Sequence, residues 1–249
     1  MKEDLLNPRT FFGGCYFGVE KPNDTPNMKV TRGKPIKWTE YIVPSDDQYD
    51  ESSCVGRAWA GWLEAMIRYT KGKDSIPENY QIDGALIWKH ARQKWWRGTY
   101  DDGIYVHQGA LAAIDLGIVP PDTKLKSYAS NWPNLKLLLM KAPVVLGHMI
   151  TDGWFTTLPN GCINHTLKGK DSLGGHAILD LETIVNSGQE AVIFQNSWGV
   201  KKWGYHGLGI MNSEYWEKTV DNCLYQMEFQ ESWNNFDGWK LFLVEKHYV

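Results

Sequence analysis

The pattern of apolar residues changes along this chain, and that change constrains its fold more than any other feature. From Ser52 to about Tyr69 apolar residues recur at helical spacing, and two further helical stretches follow, Ala85 to about Arg97 and Gln108 to Leu116. Beyond Pro133 the apolar residues fall instead in short β-branched or aromatic runs separated by Gly and Asn, which is typical of strands. The sequence therefore predicts an α+β protein, with a helical lobe followed by a β-rich lobe.

The predicted strands share this short, apolar character. They are Val144–Leu146, His176–Leu179, Ala191–Phe194, Leu208–Ile210 and Leu241–Val244. With 249 residues and 43% hydrophobic content, the chain can fill one large core. We expect a single unit over 1–249, with an extended arm at 1–46, a helical lobe at about 47–135 and a β-rich lobe at about 136–249.

Cys54 is predicted to lie at the N-terminus of the first helix. The unpaired N–H groups and the positive end of the helix dipole lower the pKa of a thiol at such a position. A histidine that holds the proton can keep a thiolate–imidazolium pair populated, and His176 is the candidate. A neutral amide can orient that imidazole without adding charge, a role that Asn196 fits. Together these three side chains predict a nucleophilic site that works through an acyl-thioester.

Such a reaction places negative charge on the former carbonyl oxygen, so the site needs hydrogen-bond donors aimed at that atom. Gln48, six positions before Cys54, and the backbone N–H of Cys54 are the expected pair. A donor of this kind contributes roughly 3 kcal/mol in comparable sites. The sequence therefore predicts an oxyanion hole formed by Gln48 and Cys54.

Around these residues the chain resembles the papain-like cysteine peptidases. Four segments carry the resemblance, namely Asp47–Cys54, Asp102–Ile118, Gly174–Leu179 and Gln195–Gly207. The run Asn196-Ser197-Trp198 is the most specific part, and the matching segments run from about Asp47 to Ile210. The resemblance implies a two-lobed fold with the active site in the cleft between the lobes, and hydrolysis of peptide bonds.

The resemblance also implies further roles for individual residues. Trp198 is expected to shield the hydrogen bond between His176 and Asn196, while Gly103 and Gly175 are expected to contact an extended substrate. The implied partner is a peptide or protein substrate, with no cofactor and no metal.

The chain departs from the family pattern at several positions. Val55 stands where the family usually has tryptophan, and Tyr49 stands where it has glycine after the oxyanion glutamine. Glu51 replaces a family cysteine, so that local disulfide cannot form. The residues before Cys54 show no long amphipathic helix, which does not favour latency through a cleaved propeptide.

Charge and cysteine content narrow the function classes. A net charge of −3 predicts no binding to nucleic acid or to anionic membranes, and no apolar run approaches the length of a membrane span. The four cysteines are too sparse for a disulfide framework, so we expect free thiols and a cytoplasmic location. His148, His165 and Cys162 are too irregularly spaced to predict a metal site. No oligomeric state follows from these features.

Two other functions use the same sequence features. An acyl-thioester can also be resolved by an amine or formed from a side-chain amide, which would give an amidase, deamidase or transglutaminase-like enzyme. A non-catalytic binding or structural protein on a degenerate protease fold is the third hypothesis, and Tyr49 and Val55 favour it. The complete set of catalytic residue types argues against that third hypothesis.

Overall fold

The computed structural model describes residues 15–16, 21–26, 35–44, 47–95, 103–158, 160–163 and 173–246. The helices are α1 (Cys54–Lys71), α2 (Gly84–Trp95), α3 (Val106–Asp115), α4 (Trp132–Leu139) and α5 (Ser213–Thr219). The strands are β1 (Cys15–Tyr16), β2 (Tyr80–Ile82), β3 (Ile104–Tyr105), β4 (Lys124–Ala129), β5 (Val144–Met149), β6 (Gly175–Asn186), β7 (Gln189–Gln195), β8 (Leu208–Asn212), β9 (Val220–Glu228) and β10 (Leu243–Glu245). The predicted α+β class is confirmed. Most of the predicted arm, like His165, lies outside the described residues.

Helix α1 is largely buried because most of its residues, from Cys54 to Ile67, are apolar. Its side chains Trp59, Trp62, Leu63 and Ile67 are fully buried, and it packs against α2, α3 and β6. Burying each such side chain contributes roughly 1.5–3 kcal/mol. A Cβ atom on Gly56 of α1 would lie 2.1 Å from the carbonyl oxygen of Gly84. Only glycine therefore allows α1 and α2 to approach this closely.

The main sheet has six antiparallel strands in the order β4-β9-β5-β6-β7-β8. Its edge strand β4 comes from residues that precede the predicted lobe boundary near 135. The predicted strand at Leu241–Val244 corresponds to β10, which begins at Leu243 and pairs with β2 beside the helices rather than with the main sheet. Lys246 N–H extends this pairing by bonding to the Asn79 carbonyl at 2.8 Å.

Strand β6 separates two hydrophobic cores because its side chains alternate between the two faces of the sheet. Ala177, Leu179 and Leu181 belong to the core around α1. Ile178 belongs to the second core, which contains Trp154 among several tryptophans. His176 and Asp180 share the face of Ile178, because they lie two positions before and after it in the strand.

Strand β1 connects the two parts of the fold. It pairs in parallel with β3, which leads into α3, and it also contacts β6 of the main sheet. Within the described residues, no helix combines the length and the apolar character that a membrane crossing requires.

Candidate active site

Cys54 is the first residue of α1, as predicted, and its sulfur lies against β6. The Sγ atom accepts a hydrogen bond from the Ala177 N–H at 3.4 Å. Ala177 directly follows His176, so the packing of α1 on the sheet brings the thiol beside the strand that carries the histidine. The side chain of Cys54 is 0% exposed.

His176 is paired with Asn196, which follows the end of β7. The Nε2 atom of His176 lies 2.7 Å from Oδ1 of Asn196. The N–H of Ser197 donates to the same Oδ1 at 2.7 Å, which identifies that atom as the amide oxygen. An oxygen can only accept, so Nε2 carries the hydrogen and Nδ1 is left to exchange a proton. The neighbouring strands β6 and β7 thus set the tautomer of the imidazole.

Aromatic rings enclose the imidazole. The Trp198 ring lies 4.8 Å from the His176 ring between centroids, which places it where shielding was expected. Trp154, from a short 3-10 turn at Asp152–Trp154, meets His176 edge-on at 6.0 Å. Phe155 stacks against Trp198, with 5.4 Å between the ring centroids and 9° between the ring planes. Sequence reasoning missed Trp154 and Phe155, because neither belongs to a local motif.

The side chain of Gln48 is held in a fixed orientation by hydrogen bonds to Ser197 and Glu51. The Ser197 hydroxyl donates to Gln48 Oε1 at 2.5 Å, and Gln48 Nε2 donates to the Glu51 carbonyl at 2.8 Å. The Gln48 backbone N–H also donates to the Ser197 carbonyl at 2.8 Å. A primary amide has two hydrogens on nitrogen, so a second donor position remains beyond the bond to Glu51.

Tyr49 adopts the backbone conformation for which the family uses glycine. Its φ is +48°, in the left-handed region that costs a non-glycine residue about 1–2 kcal/mol. The Asp47 carboxylate accepts the Tyr49 N–H at 2.8 Å, and Lys202 both pairs with Asp47 at 2.8 Å and lies over the Tyr49 ring. These contacts offset the cost, so the turn that orients Gln48 forms without glycine.

The other departures from the family pattern also find local partners. Glu51 faces Arg57 with 3.6 Å between their charged atoms, and the buried Val55 packs beside Gly109 of α3. Cys15, Cys54, Cys162 and Cys223 are all free thiols, as predicted.

Burial favours the neutral forms of both the Cys54 thiol and the His176 imidazole. Burial raises the pKa of Cys54 to about 12, although the N–H groups of Ala177, Val55 and Cys54 itself lower it. Burial also lowers the pKa of His176 to about 4, against a smaller opposite effect of Asn196. The predicted influence of the helix N-terminus is therefore present but weaker than desolvation. The thiolate–imidazolium pair requires an environment with more water.

The two glycines expected to contact substrate are both buried and belong to different parts of the fold. Gly103 is buried directly before β3, and Gly175 is buried directly before His176 in β6. Their contact with substrate stays a prediction.

Two further buried polar groups lie behind the site on the same sheet face. His148 of β5 is directly opposite His176 in the strand register, and its Nδ1 lies 2.9 Å from the Thr219 hydroxyl. Asp180 accepts a hydrogen bond from Trp216 Nε1 at 2.8 Å. Sequence reasoning considered His148 only as a weak metal ligand and missed Asp180. In the part of the chain that the structure describes, no group of three or more His, Cys, Asp or Glu side chains could hold a metal ion.

Comparison with known proteins identifies the fold. No protein-family profile and no curated protein matches the chain. Among solved structures, xylellain, a cysteine protease from Xylella fastidiosa, is similar with a TM-score of 0.65 and 18% identity over 88% of this chain and 96% of that one. Digestive procathepsin L2 from Tenebrio molitor gives a TM-score of 0.66 and 14% identity over 89% of this chain and 79% of that one. Bromelain from Ananas comosus, in complex with the E64 inhibitor, gives a TM-score of 0.53 and 14% identity over 78% of this chain and 98% of that one.

These structures, a cysteine protease, a procathepsin proteinase and the bromelain protease, share their fold with the chain. The chain therefore has the two-lobed papain-like α+β fold that the resemblance implied.

Proposed function

We propose that the chain is a cysteine peptidase that hydrolyses peptide bonds in a peptide or protein substrate. One observation carries this proposal: the imidazole of His176 is fixed by Asn196 at 2.7 Å, directly beside the strand position whose N–H holds the Cys54 sulfur. This arrangement supports the proposed roles of nucleophile for Cys54, base for His176 and neutral orienting amide for Asn196.

The proposed reaction begins with proton transfer from the Cys54 thiol to Nδ1 of His176. The thiolate attacks the carbonyl carbon of the scissile peptide, and the C–N bond breaks after His176 returns the proton to the leaving amine. This gives an acyl-thioester and a free amine. Water, deprotonated by His176, then attacks the thioester and releases the carboxylic acid and the thiol. No oxidant, metal or cofactor enters this balance.

The remaining side chains are assigned to stabilising the intermediate and the imidazolium. Gln48 and the Cys54 N–H would donate to the oxyanion, with Ser197 keeping the Gln48 amide in place. Asn196 and Trp198 would keep the imidazole in one orientation and away from water. The free thiols support a reducing compartment, for which we propose the cytoplasm.

The test uses a panel of peptide amides and the variant Cys54→Ala. We expect the wild type to release amines from at least part of the panel and to form an acyl adduct of the expected mass on Cys54. Cys54→Ala should lose turnover by roughly 10³-fold or more, because no other group supplies the nucleophile. Unchanged turnover in Cys54→Ala, with a normal circular dichroism spectrum, would exclude the covalent mechanism.

The panel also separates peptide hydrolysis from the other acyl-transfer reactions. Release of ammonia from glutamine side chains, or incorporation of an added primary amine, without backbone cleavage would assign the same residues to a deamidase or transglutaminase-like enzyme. Cleavage between residues supports the peptidase proposal.

A further inference from the structure

We propose that an ionic clamp around Glu51 positions the Gln48 amide for the oxyanion and makes kcat sensitive to ionic strength. The clamp consists of Glu51, Arg57 and Lys89. These are positioning residues, because they act through Gln48 rather than on the substrate. The inference deepens the proposed peptidase function and rests on it for its catalytic consequence.

The Gln48 side chain is tied to the turn that ends at Glu51. Gln48 Nε2 donates to the Glu51 carbonyl at 2.8 Å, and the Glu51 N–H donates to the Gln48 carbonyl at 3.0 Å. Ser197 holds the amide oxygen of Gln48, so the Glu51 carbonyl is the anchor of the amide nitrogen. The direction of the second hydrogen on that nitrogen therefore depends on where the Glu51 backbone lies.

The Glu51 side chain connects this turn to two helices through charge. Its carboxylate lies 3.6 Å from the guanidinium of Arg57 in α1 and 4.0 Å from the ammonium of Lys89 in α2. Glu51 stands where the family pattern has a cysteine, so here the connection is ionic rather than covalent. Such a connection weakens when salt screens the charges.

Arg57 is a rigid partner for Glu51. Its side chain is only 12% exposed, and its Nε donates to the hydroxyl of the buried Ser53 at 3.1 Å. Its backbone lies where α1 and α2 approach closely, since a Cβ on Gly84 would lie 2.8 Å from the Arg57 Cα. Isolated exposed ion pairs contribute little, in part because two mobile side chains have to be ordered. A guanidinium that is already fixed reduces this cost.

Small movements of the Gln48 amide matter for the proposed reaction. An oxyanion donor acts at about 2.7–3.1 Å, and a displacement of about 1 Å can cost roughly 100-fold in rate. The turn also contains Tyr49 in the left-handed region, at φ +48°, which is unfavourable for a residue other than glycine. Asp47 restrains one side of this turn through the Tyr49 N–H. The clamp restrains the other side at Glu51.

The first test is Glu51→Gln, which removes the charge and keeps the shape and the backbone carbonyl. We expect kcat for peptide-amide hydrolysis to fall by about threefold or more with KM within about twofold, because the loss falls on the transition state. The pKa of Cys54 depends on burial and on backbone N–H groups. Alkylation of Cys54 by iodoacetamide should therefore stay within about twofold of wild type. A smaller loss of kcat would overturn the clamp.

The matched control is Glu40→Gln. Glu40 forms an exposed ion pair with Lys73 at 3.0 Å, so this change also removes one surface carboxylate that has a cationic partner. Its kcat should stay within about 1.5-fold of wild type. A loss in Glu40→Gln equal to that in Glu51→Gln would show a general effect of charge and overturn the clamp.

Salt provides a readout that a purely steric role would not move. Raising NaCl from about 0.1 M to about 1 M shortens the Debye length from about 10 Å to about 3 Å. The kcat of wild type should fall towards that of Glu51→Gln, whose own kcat should change much less. Equal salt dependence in the two proteins would overturn the clamp.

A double-mutant cycle tests whether Glu51 acts through Gln48. In the Gln48→Ala background the amide is absent, so Glu51→Gln should change kcat by less than about 1.5-fold. Equal fold losses in the two backgrounds would show that Glu51 acts by another route and would overturn the clamp.

A measurement without substrate separates this inference from the peptidase proposal. Nitrogen-15 relaxation reports the motion of the Gln48 side-chain amide, whose signal is assigned by its disappearance in Gln48→Ala. Greater amide motion in Glu51→Gln, with no cleavage of any peptide by wild type, would support the clamp and reject the peptidase. Cleavage by wild type, with equal kcat and equal amide motion in Glu51→Gln, would keep the peptidase and reject the clamp.

Discussion

His176 and Asp180 lie on the same face of β6, four positions apart, and both are buried, but their surroundings differ. His176 has a neutral amide partner, Asn196, that accepts its Nε2 hydrogen at 2.7 Å. Asp180 accepts one hydrogen bond from Trp216, and among the described residues its second oxygen has no partner. The first group is held in one orientation, while the second is only partly satisfied.

Burial drives both groups towards their neutral forms. It lowers the pKa of His176 to about 4 and raises the pKa of Asp180 to about 8. His148, opposite His176 in the register, is also kept neutral by burial, with a pKa of about 3. Burial therefore favours the uncharged forms of both polar neighbours of His176 described on this sheet face, His148 and Asp180. A catalytic imidazole has to gain a charge transiently, and an amide orients it without biasing that step, whereas Asp180 never needs to ionise.

The largest effect is expected for Asn196→Ala, which would remove the oriented state of His176. We expect kcat/KM to fall roughly 10²- to 10⁴-fold, because the imidazole would no longer be fixed in the productive tautomer. Peptide hydrolysis is measured with Asn186→Ala as the matched control, since Asn186 lies at the far end of β6, the strand that carries His176. A loss in the control as large as in Asn196→Ala would contradict the special role of the amide.

A smaller loss of catalytic activity is expected for Gln48→Ala. This change removes a donor that acts mainly in the transition state, so kcat should fall roughly 10- to 1000-fold with little change in KM. Gln189→Ala, at the exposed start of β7, is the control. Alkylation of Cys54 by iodoacetamide should stay as fast as in wild type, whereas Asn196→Ala should slow it. Equal slowing of alkylation by both changes would show that Gln48 acts through the thiol and not through the oxyanion.

Asp180→Asn tests the other side of the comparison, through stability. The folded pKa of Asp180, about 8, exceeds the usual unfolded value of about 3.9, so the wild type should lose free energy of unfolding as pH rises from about 4 to 8. His176 and His148 have depressed pKa values, so their contribution is lost instead as pH falls below about 6.5. Wild-type stability should therefore be greatest near pH 6.5.

The amide in Asp180→Asn cannot ionise, and the variant should be more stable than wild type by about 1–3 kcal/mol at pH 8. Urea unfolding at pH 5, 6.5 and 8 measures this. Between pH 6.5 and 5 the variant should lose more free energy of unfolding than wild type, because in wild type the gain from Asp180 partly offsets the loss from the two histidines. Parallel curves over the whole range would show that Asp180 does not control the alkaline side.

The smallest effect is expected at Tyr49. Glycine adopts the left-handed conformation freely, so Tyr49→Gly should be more stable than Tyr49→Ala by about 1 kcal/mol. Both variants lose the ring under Lys202, which makes them a matched pair. Activity should stay within about threefold of wild type, since the bonds of Gln48 to Ser197 do not involve the tyrosine ring. A large loss of activity in Tyr49→Gly would mean that the ring itself contacts substrate.

Elements with a strong local pattern could be predicted from the sequence. The helices α1, α2 and α3 were expected to within about two residues, because their apolar positions recur at helical spacing. The strands β4 and β9 and the short helices α4 and α5 were not predicted. The sequence of β4, Lys-Leu-Lys-Ser-Tyr-Ala, has few apolar residues, and its strand conformation depends on pairing with β9.

The same distinction applies to the site. Cys54, His176, Asn196 and Gln48 carry recognisable local motifs, and the structure places them together. Trp154, His148 and Asp180 have no such motif, because their positions follow from the register of β5 and β6 and from the tryptophan-rich core. The pairing of β1 with β3 was missed for the same reason, since it joins residues far apart in the chain.

The Cys54 sulfur accepts a hydrogen bond from the backbone N–H of Ala177, which lies 123 positions further along the chain. During translation, Cys54 is therefore synthesised long before His176, Asn196 and the strands β6 and β7 that position them. During that interval the growing polypeptide has the Cys54 thiol but not His176, so the proposed proton transfer between them cannot occur. Synthesis from the N-terminus thus delays the proposed activity until the second half of the protein has folded onto the first.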